Sequence, residues 1–287
     1  MDSAHEQPDS ATIGQLLEWG ARLLAANSAS PRLDAEVLMA ALVHWPRSSV
    51  MAFPERTVPT ALTEEFRVLI RRRTRGTPVA HLTGRKEFYS LDLKVSPDTL
   101  VPRPETELLV DQLLESVTPI EVVRILDVGT GCGAIALAVK RQRPNARVVA
   151  LDSSEAALTV ALANGFRLGL EVEWLRSNWF QALGDRRFDF ILSNPPYVER
   201  EDPCLVGGDI RHEPREALDG GIDGLDSIRE IIAGAPRVLT PGGTLLLEHG
   251  YNQSPAVTQL LRGAGFQSIE THRDLAGHDR VTLGSIA

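Results

Sequence analysis

The stretch ILDVGTGCGAIALAV, Ile125 to Val139, decides how the chain is read. It opens as a short apolar run, the length of a buried strand. Gly129, Gly131 and Gly133 then interrupt it, and Ala134 to Val139 continue with helical character. Strand, glycine turn and helix in that order form the first crossover of an α/β unit. Glycines at such a turn permit tight backbone geometry and let a ligand reach backbone N–H groups at a helix start.

Outward from this stretch the pattern repeats. Strands are expected at 122–128, 147–152, 171–177, 188–193, 243–249, 266–272 and 280–286. Helical periodicity fills 106–117, 133–142, 154–168, 224–239 and 254–264. Such alternation gives a mostly parallel sheet with helices on both faces. Only a short loop, Asp274 to Asp279, joins the last two strands. A parallel crossover needs a dozen or more residues, so that pair is antiparallel. The fold class expected is α/β, a Rossmann-like seven-stranded sheet whose last strand is antiparallel.

Before this lies a different composition. Residues 12–75 carry apolar residues at helical spacing, for example Leu33, Val37, Leu38, Ala41 and Leu42. Residues 1–76 hold nine acidic and nine basic side chains and are expected to form a small helical bundle, with the first ten or so frayed. Arg71, Arg72, Arg73 and Arg75 invite a nucleic-acid reading. Basic residues in a last helical turn that complement the dipole and stay solvated are the better one. Residues 77–100 alternate around Gly84-Arg85-Lys86 and read as a β-hairpin linker, and 101–287 form the second domain. Trp19, Trp45 and Trp174 read as packing residues.

The chain has 287 residues, 43% hydrophobic, with net charge −8. That supports two domains with real cores. An acidic balance argues against a broad grip on nucleic acid. Two cysteines, Cys132 and Cys204, argue against a disulfide scaffold and fit a reducing cytoplasm. No signal-peptide layout and no apolar run of membrane length is present in the sequence. No histidine spacing suits a metal, and His212, His249, His272 and His278 read as surface or loop residues.

Two sites of chemistry stand out. Asp152, 23 residues after Gly129, closes the second strand, where a carboxylate accepts from ribose hydroxyls. An adenosine-type ligand follows, although Gly129, Gly131 and Ala134 also satisfy the relaxed nicotinamide fingerprint. Asp127 leans away from that alternative, because a carboxylate there can receive the amino group of a methionine-like tail, directly or through water. The second site is FDFILSNPPYVER, from Phe188. A core strand there stops on Asn194-Pro195-Pro196-Tyr197. Two prolines stiffen the corner. The Asn194 side-chain oxygen and the backbone carbonyls of Asn194 and Pro195 are acceptors for one planar –NH₂ group, and Tyr197 offers a flat face beside it. The corner is a socket for an amide or amine nitrogen; if the electrophile in the neighbouring pocket is a sulfonium methyl, the reaction is an in-line methyl transfer.

With LDVGTGCG and Asp152 upstream, the Asn-Pro-Pro-Tyr corner resembles that of amino-methyltransferases using S-adenosylmethionine. GTPVAHLTGRKEFYSLDLKVSPDTLVPRPETELLV, NPPYVEREDPCL, EPREALDGGIDGL, LLLEHG and DLAGHDRVTLG narrow the resemblance to the release-factor glutamine methyltransferase family, PrmC or HemK. It spans Leu16 to Gly284. It implies a substrate-docking helical domain, a hairpin linker and a methyltransferase domain. The substrate implied is the glutamine of the Gly-Gly-Gln loop of class I peptide-chain release factors, with no nucleic acid or membrane as partner. Asp127, Gly129, Thr130, Gly131, Cys132, Gly133, Asp152, Asn178, Trp179 and Asn194 would hold S-adenosylmethionine. Asn194, Pro195, Pro196 and Tyr197 would hold the glutamine, with Asn194, Pro195 and Tyr197 catalytic. The family usually has Asp where this chain has Asn178, which predicts weaker cofactor binding. Cys132 stands where Thr is commoner; a redox-sensing thiol is the minor alternative to a benign change. Glu105 and Glu107 suit a helix N-terminus by dipole alone, and Arg103, framed by prolines, is as readily placed near the active site as away from it. Residues 198–224 are too long for an ordinary connection and read as a lid, a docking surface or a passive insertion.

Other readings remain at this point. They are a ribosomal-protein glutamine or adenine N6 of DNA as the methylated nitrogen, a nicotinamide oxidoreductase, and an adaptor that keeps cofactor without turnover.

Overall fold

A computed structural model describes residues 11–287. The expected frayed N-terminus, residues 1–10, lies outside the described residues. The chain divides into two units: one runs to Gly84 and includes Gly208–His212, and the other holds Arg85–Gly207 and Glu213–Ala287.

The first unit is helical: α1 (Ile13–Leu24), α2 (Pro31–Val43), α3 (Arg47–Ala52), α4 (Thr60–Thr74) and α5 (Val79–Thr83). Thr12 and Gln15 form a capping box that satisfies orphan N–H groups where α1 starts. Leu16, Leu17, Leu24, Leu38, Met39, Phe66 and Ile70 are fully buried and build its core. Trp19 packs against Phe66, ring centroids 6.4 Å apart. Arg71, Arg72 and Arg75 are exposed, as expected of a solvated last turn, but Arg73 is not. Arg73 Nε donates to Asp34 Oδ2 at 2.7 Å, and its Nη1 pairs with Asp209. As a basic residue of a last helical turn it was expected to stay solvated; a carboxylate from α2, distant in sequence, holds it inside.

The second unit opens with a hairpin, β1 (Arg85–Phe88) and β2 (Leu91–Lys94), paired Phe88 to Leu91. This corrects the expected hairpin around Gly84-Arg85-Lys86. Val79–Thr83 is helical, Gly84 caps it at φ +69°, and the hairpin turns at Tyr89-Ser90. Alternation of apolar residues in so short a segment cannot separate a helical turn from a strand.

A 3₁₀ turn (Pro104–Thr106) leads into α6 (Glu107–Ser116). Then follow β3 (Arg124–Val128), α7 (Ala134–Gln142), β4 (Arg147–Asp152), α8 (Glu155–Leu168), β5 (Glu173–Arg176) and β6 (Phe188–Ser193). The chain ends with α9 (Asp226–Val238), β7 (Leu239–Glu248), α10 (Ser254–Gly263), β8 (Gln267–Arg273) and β9 (Asp279–Ser285). The sheet order is β5-β4-β3-β6-β7-β9-β8. Pairs from β5 to β7 are parallel, and β9 is antiparallel to both neighbours. The seven strands and the antiparallel close agree with the sequence reading. Strand β3 is buried along Ile125–Val128, as a strand covered on both faces must be. The order reverses between β3 and β6, so their carboxyl ends open a crevice there.

Candidate active site

The crevice is built on the glycine loop. Gly129, Gly131 and Gly133 have φ of +74°, +56° and +86°. Gly129 and Thr130 donate their N–H groups to Leu151 O at 2.9 Å, tying the loop to the end of β4. Gly131 N donates to Asp152 Oδ2 at 2.9 Å, and Ser154 N donates to Asp152 Oδ1 at 2.9 Å. Each carboxylate oxygen accepts one backbone bond and keeps a lone pair for a further donor. Ser154 also caps α8. Gly133 begins α7, and a Cβ there would meet Trp174 at 3.0 Å and Leu137 at 3.1 Å. Trp174 is therefore a packing residue against the loop.

A cavity of about 390 Å³ lies over this loop. Its walls come from Asp98–Leu100, Gly129 and Gly131, Leu151–Ser154 with Ala157, Ser177–Trp179, Asn194 and Pro196, and Pro214 with Glu216 and Ala217. Trp179 holds a left-handed backbone, φ +46°, uncommon for a side chain of that bulk. Ser177 staples it: the hydroxyl donates to Trp179 O at 2.5 Å and accepts from Ala182 N at 3.0 Å. The surroundings thus hold a strained residue at the cavity wall.

At the end of β6, Asn194 Nδ2 donates to Thr106 Oγ1 at 3.0 Å. The amide is thus held by its nitrogen, leaving its oxygen on the opposite edge. Tyr197 donates its hydroxyl to Glu248 Oε1 at 3.2 Å, and burial, then the Glu248 charge, raises its pKa. Glu248 is 1% exposed at the end of β7. Burial lifts its carboxyl to about 7, against the nearby Thr106 hydroxyl, the Arg280 charge and the Tyr197 hydroxyl.

Two family models match the chain: the PrmC N-terminal domain over residues 15–84 and the methyltransferase small domain over residues 104–221. The release factor glutamine methyltransferase of Pseudomonas aeruginosa is 51% identical over 262 residues, covering 91% of this chain and 95% of that protein. That of Salmonella typhimurium is 46% identical, covering 90% and 93%. The chain belongs to the release factor glutamine methyltransferase family. A methyltransferase structure from Pyrococcus furiosus, 18% identical with a TM-score of 0.53 over 77% of this chain and 98% of that one, shares the fold. This release factor glutamine methyltransferase homologue is an enzyme that depends on S-adenosylmethionine.

The residues fit that cofactor. Gly129 and Gly131 have nothing within 4 Å of a would-be Cβ, so the loop presents open backbone to the cavity. Asp127 Oδ1 is buried and has no hydrogen-bond partner among the described residues, an acceptor suited to an ammonium group. Its other oxygen accepts from Thr130 Oγ1 at 2.6 Å and Ala136 N at 3.1 Å, bracing the loop. Burial, with the Asp152 charge adding to it, raises the Asp127 carboxyl to about 7.

Of the residues expected from sequence, Gly129, Gly131, Asp152, Asn178, Trp179, Asn194 and Pro196 meet at the cavity wall. Asp127, Thr130, Cys132 and Gly133 stand buried behind it, as does the Pro195 ring. Cys132 is 2% exposed, and burial pushes its thiol up to about 12, which disfavours the thiolate a redox sensor needs. His249 corrects the expectation of surface histidines. It is fully buried, its Nδ1–H bonded to Gly250 O at 2.9 Å and its Nε2 to Thr282 Oγ1 at 2.7 Å. Arg103 pairs with Glu213, whose other oxygen accepts from Val101 N at 2.9 Å. That carboxylate anchors the start of Pro214–Ala217, so this part of the long 198–224 segment forms cavity wall.

The sequence reading missed Thr106, Ser177, Glu213 and Glu248. A carboxylate ending the apolar run TLLLE was the available signal for Glu248: a charge buried at the carboxyl end of a central strand needs a reason.

Proposed function

We propose that the enzyme transfers a methyl group from S-adenosylmethionine to the side-chain amide nitrogen of the glutamine in the Gly-Gly-Gln motif of class I peptide-chain release factors, in the cytoplasm. The observation that carries this is the Asn194 amide, held through its nitrogen by Thr106 with no partner on its oxygen among the described residues, at the wall of the glycine-loop cavity. An acceptor pair there selects an –NH₂ group. The family's curated members carry release factors in their names.

S-adenosylmethionine, when bound, supplies an electrophilic methyl group on sulfur. In this reading Gly129, Gly131 and Asp152 hold its nucleoside, Asp127 draws its amino group, and Asn178 and Trp179 flank its base. The protein's own work falls on the glutamine. Asn194 Oδ1 and the Pro195 carbonyl accept its two N–H bonds. That draws the nitrogen lone pair out of amide resonance and aims it into the cavity. Alignment is the main contribution, since a nitrogen proton is lost only after the new N–C bond forms. Tyr197 lends a flat face with its hydroxyl tied back to Glu248. The helical domain docks the release factor, and no nucleic-acid contact is required.

Asn194→Ala tests this: turnover falls by about 10²–10³, as for loss of a fixed group that acts in the transition state, while S-adenosylmethionine binding holds. A release factor with Glu in place of that Gln is rejected, because buried acceptors then face oxygens. Methylation of the Glu variant, or full turnover by Asn194→Ala, contradicts the reading.

A further inference from the structure

Helix α8 carries two poor helix formers side by side in its interior, Asn164 and Gly165. Gly165 has a steric reason, since a Cβ there would meet Trp174 Cζ2 at 3.1 Å. Asn164 has a hydrogen-bonding one. Its side chain is fully buried and does not line the cavity. Asn164 Oδ1 accepts from Lys94 N at 2.7 Å, and Nδ2 donates to Lys94 O at 2.9 Å and to Cys132 O at 3.0 Å. One residue, Lys94, meets the amide with both an N–H and a C=O, and that fixes which edge of the amide is oxygen and which is nitrogen. The second Nδ2 hydrogen is thereby left for the glycine loop.

The Cys132 carbonyl and the Gly133 N–H are two ends of one peptide unit. Gly133 N donates to Thr130 O at 2.9 Å, so that unit is gripped at both ends. It lies between Gly131 and Gly133, whose φ angles are +56° and +86°. Glycines oppose backbone rotation weakly. Without a donor on the Cys132 carbonyl the peptide turns over for part of the time, and the loop then loses the arrangement that presents Gly129 and Gly131 to the cavity. Asp152 holds the same loop at Gly131 N, but Asp152 itself lines the cavity. Asn164 acts on a ligand only through the loop. Lys94 ends β2, and four residues later Asp98–Leu100 form another part of the cavity wall. One buried amide therefore joins the glycine loop to the strand that leads into that wall.

We propose that Asn164 is a positioning residue for cofactor binding: it locks the Cys132–Gly133 peptide and holds the glycine loop against the segment that follows β2. The test measures the Kd for S-adenosylmethionine by titration calorimetry, with a thermal melt, in wild type, Asn164→Ala, Asn164→Asp and Arg73→Leu. Asn164→Ala raises the Kd by about 10-fold, because the Cys132 carbonyl loses its donor and the binding-competent loop becomes a minor state. Asn164→Asp keeps the size but sets an oxygen against the Lys94 and Cys132 carbonyls, and its Kd rises by about 10-fold or more. Arg73→Leu, destabilised in the helical unit, melts earlier with its Kd within about twofold of wild type. On a release factor, the Asn164→Ala loss appears in the KM for S-adenosylmethionine, with kcat at saturating cofactor within about threefold. A wild-type Kd in folded Asn164→Ala overturns the proposal, as does an equal rise in Arg73→Leu or a loss confined to kcat. One measurement needs no variant. In ¹⁵N-labelled wild type the Asn164 –NH₂, identified by its proximity to the Lys94 amide proton, exchanges slowly with water whether or not cofactor is present. Fast exchange refutes the grip on the loop even if the variants fail to fold.

Discussion

A Cβ added at Gly220 would stand 2.7 Å from Gly224 O, 2.8 Å from Pro196 O and 2.8 Å from Tyr197 Cα. Ordinary contact between heavy atoms begins near about 3.5 Å, so each pair falls short by roughly 0.7 Å. All three atoms are backbone, and two belong to the corner that ends β6. Gly220 lies outside the left-handed region, so Ala meets no conformational objection there and the effect is steric. Nor can Gly220 retreat: its N–H donates to Val198 O at 2.8 Å, and its carbonyl accepts from Asp226 N at 2.8 Å. The corner must yield by about half an ångström. Overpacking of this kind costs about 1–3 kcal/mol, and misplacing reacting groups by about 1 Å costs on the order of 10²-fold in rate. Gly220→Ala therefore lowers kcat by about 10- to 100-fold. It leaves the Kd for S-adenosylmethionine within about threefold, because Gly129, Gly131 and Asp152 are untouched. Turnover under saturating cofactor, titration calorimetry and a thermal melt separate these terms. Wild-type kcat in a folded Gly220→Ala protein would refute the claim that the position of this corner limits the reaction.

Other consequences follow from buried groups. Glu248 and Asp127 both titrate near about 7 in the folded protein, above their ordinary 4.5 and 3.8. As pH rises through that window the unfolded chain loses these protons first, so folding stability falls from about pH 4.5 to 7. Glu248→Gln removes one share, and urea melts at pH 5 and pH 8 then differ by about 3 kcal/mol less than in wild type; an unchanged difference counts against a buried proton on Glu248. Arg73→Leu strands Asp34 without its cation and lowers unfolding free energy by about 3–5 kcal/mol in denaturant titration, whereas Arg71→Leu changes it by less than about 0.5 kcal/mol. Gly133→Ala forces a left-handed Ala against Trp174 and Leu137, and a thermal melt should show a loss of about 2 kcal/mol or more.

The sheet was legible because its signals are local. A strand such as Ile125–Val128 is apolar throughout, the glycines follow at once, and Asp152 closes the next strand. The short loop between β8 and β9 fixed their antiparallel sense by reach alone. What the sequence hid depends on partners far along the chain. Arg73 looked solvated because Asp34 and Asp209 sit 39 and 136 residues away. Thr106 and Glu248 belong to segments whose wording was conspicuous, PRPETE and LLLEHG, yet nothing in either says that Thr106 meets Asn194 and Glu248 meets Tyr197. The hairpin was shifted because Val79–Thr83 is a single helical turn, too short to show a period. His249 was misplaced because Thr282, the partner that lets it be buried, lies 33 residues further on.

The central claim is that acceptors at Asn194 and Pro195 hold a glutamine –NH₂ against a sulfur-borne methyl group. It is tested most directly by incubating the protein with isotopically methyl-labelled S-adenosylmethionine and an unmodified class I release factor, then mapping the label by peptide mass spectrometry. The account predicts one labelled methyl group, on the side-chain nitrogen of the glutamine in the Gly-Gly-Gln motif, and almost none with Asn194→Ala. Label on another residue or on co-purified nucleic acid, or none on the release factor while the cofactor binds, would contradict it.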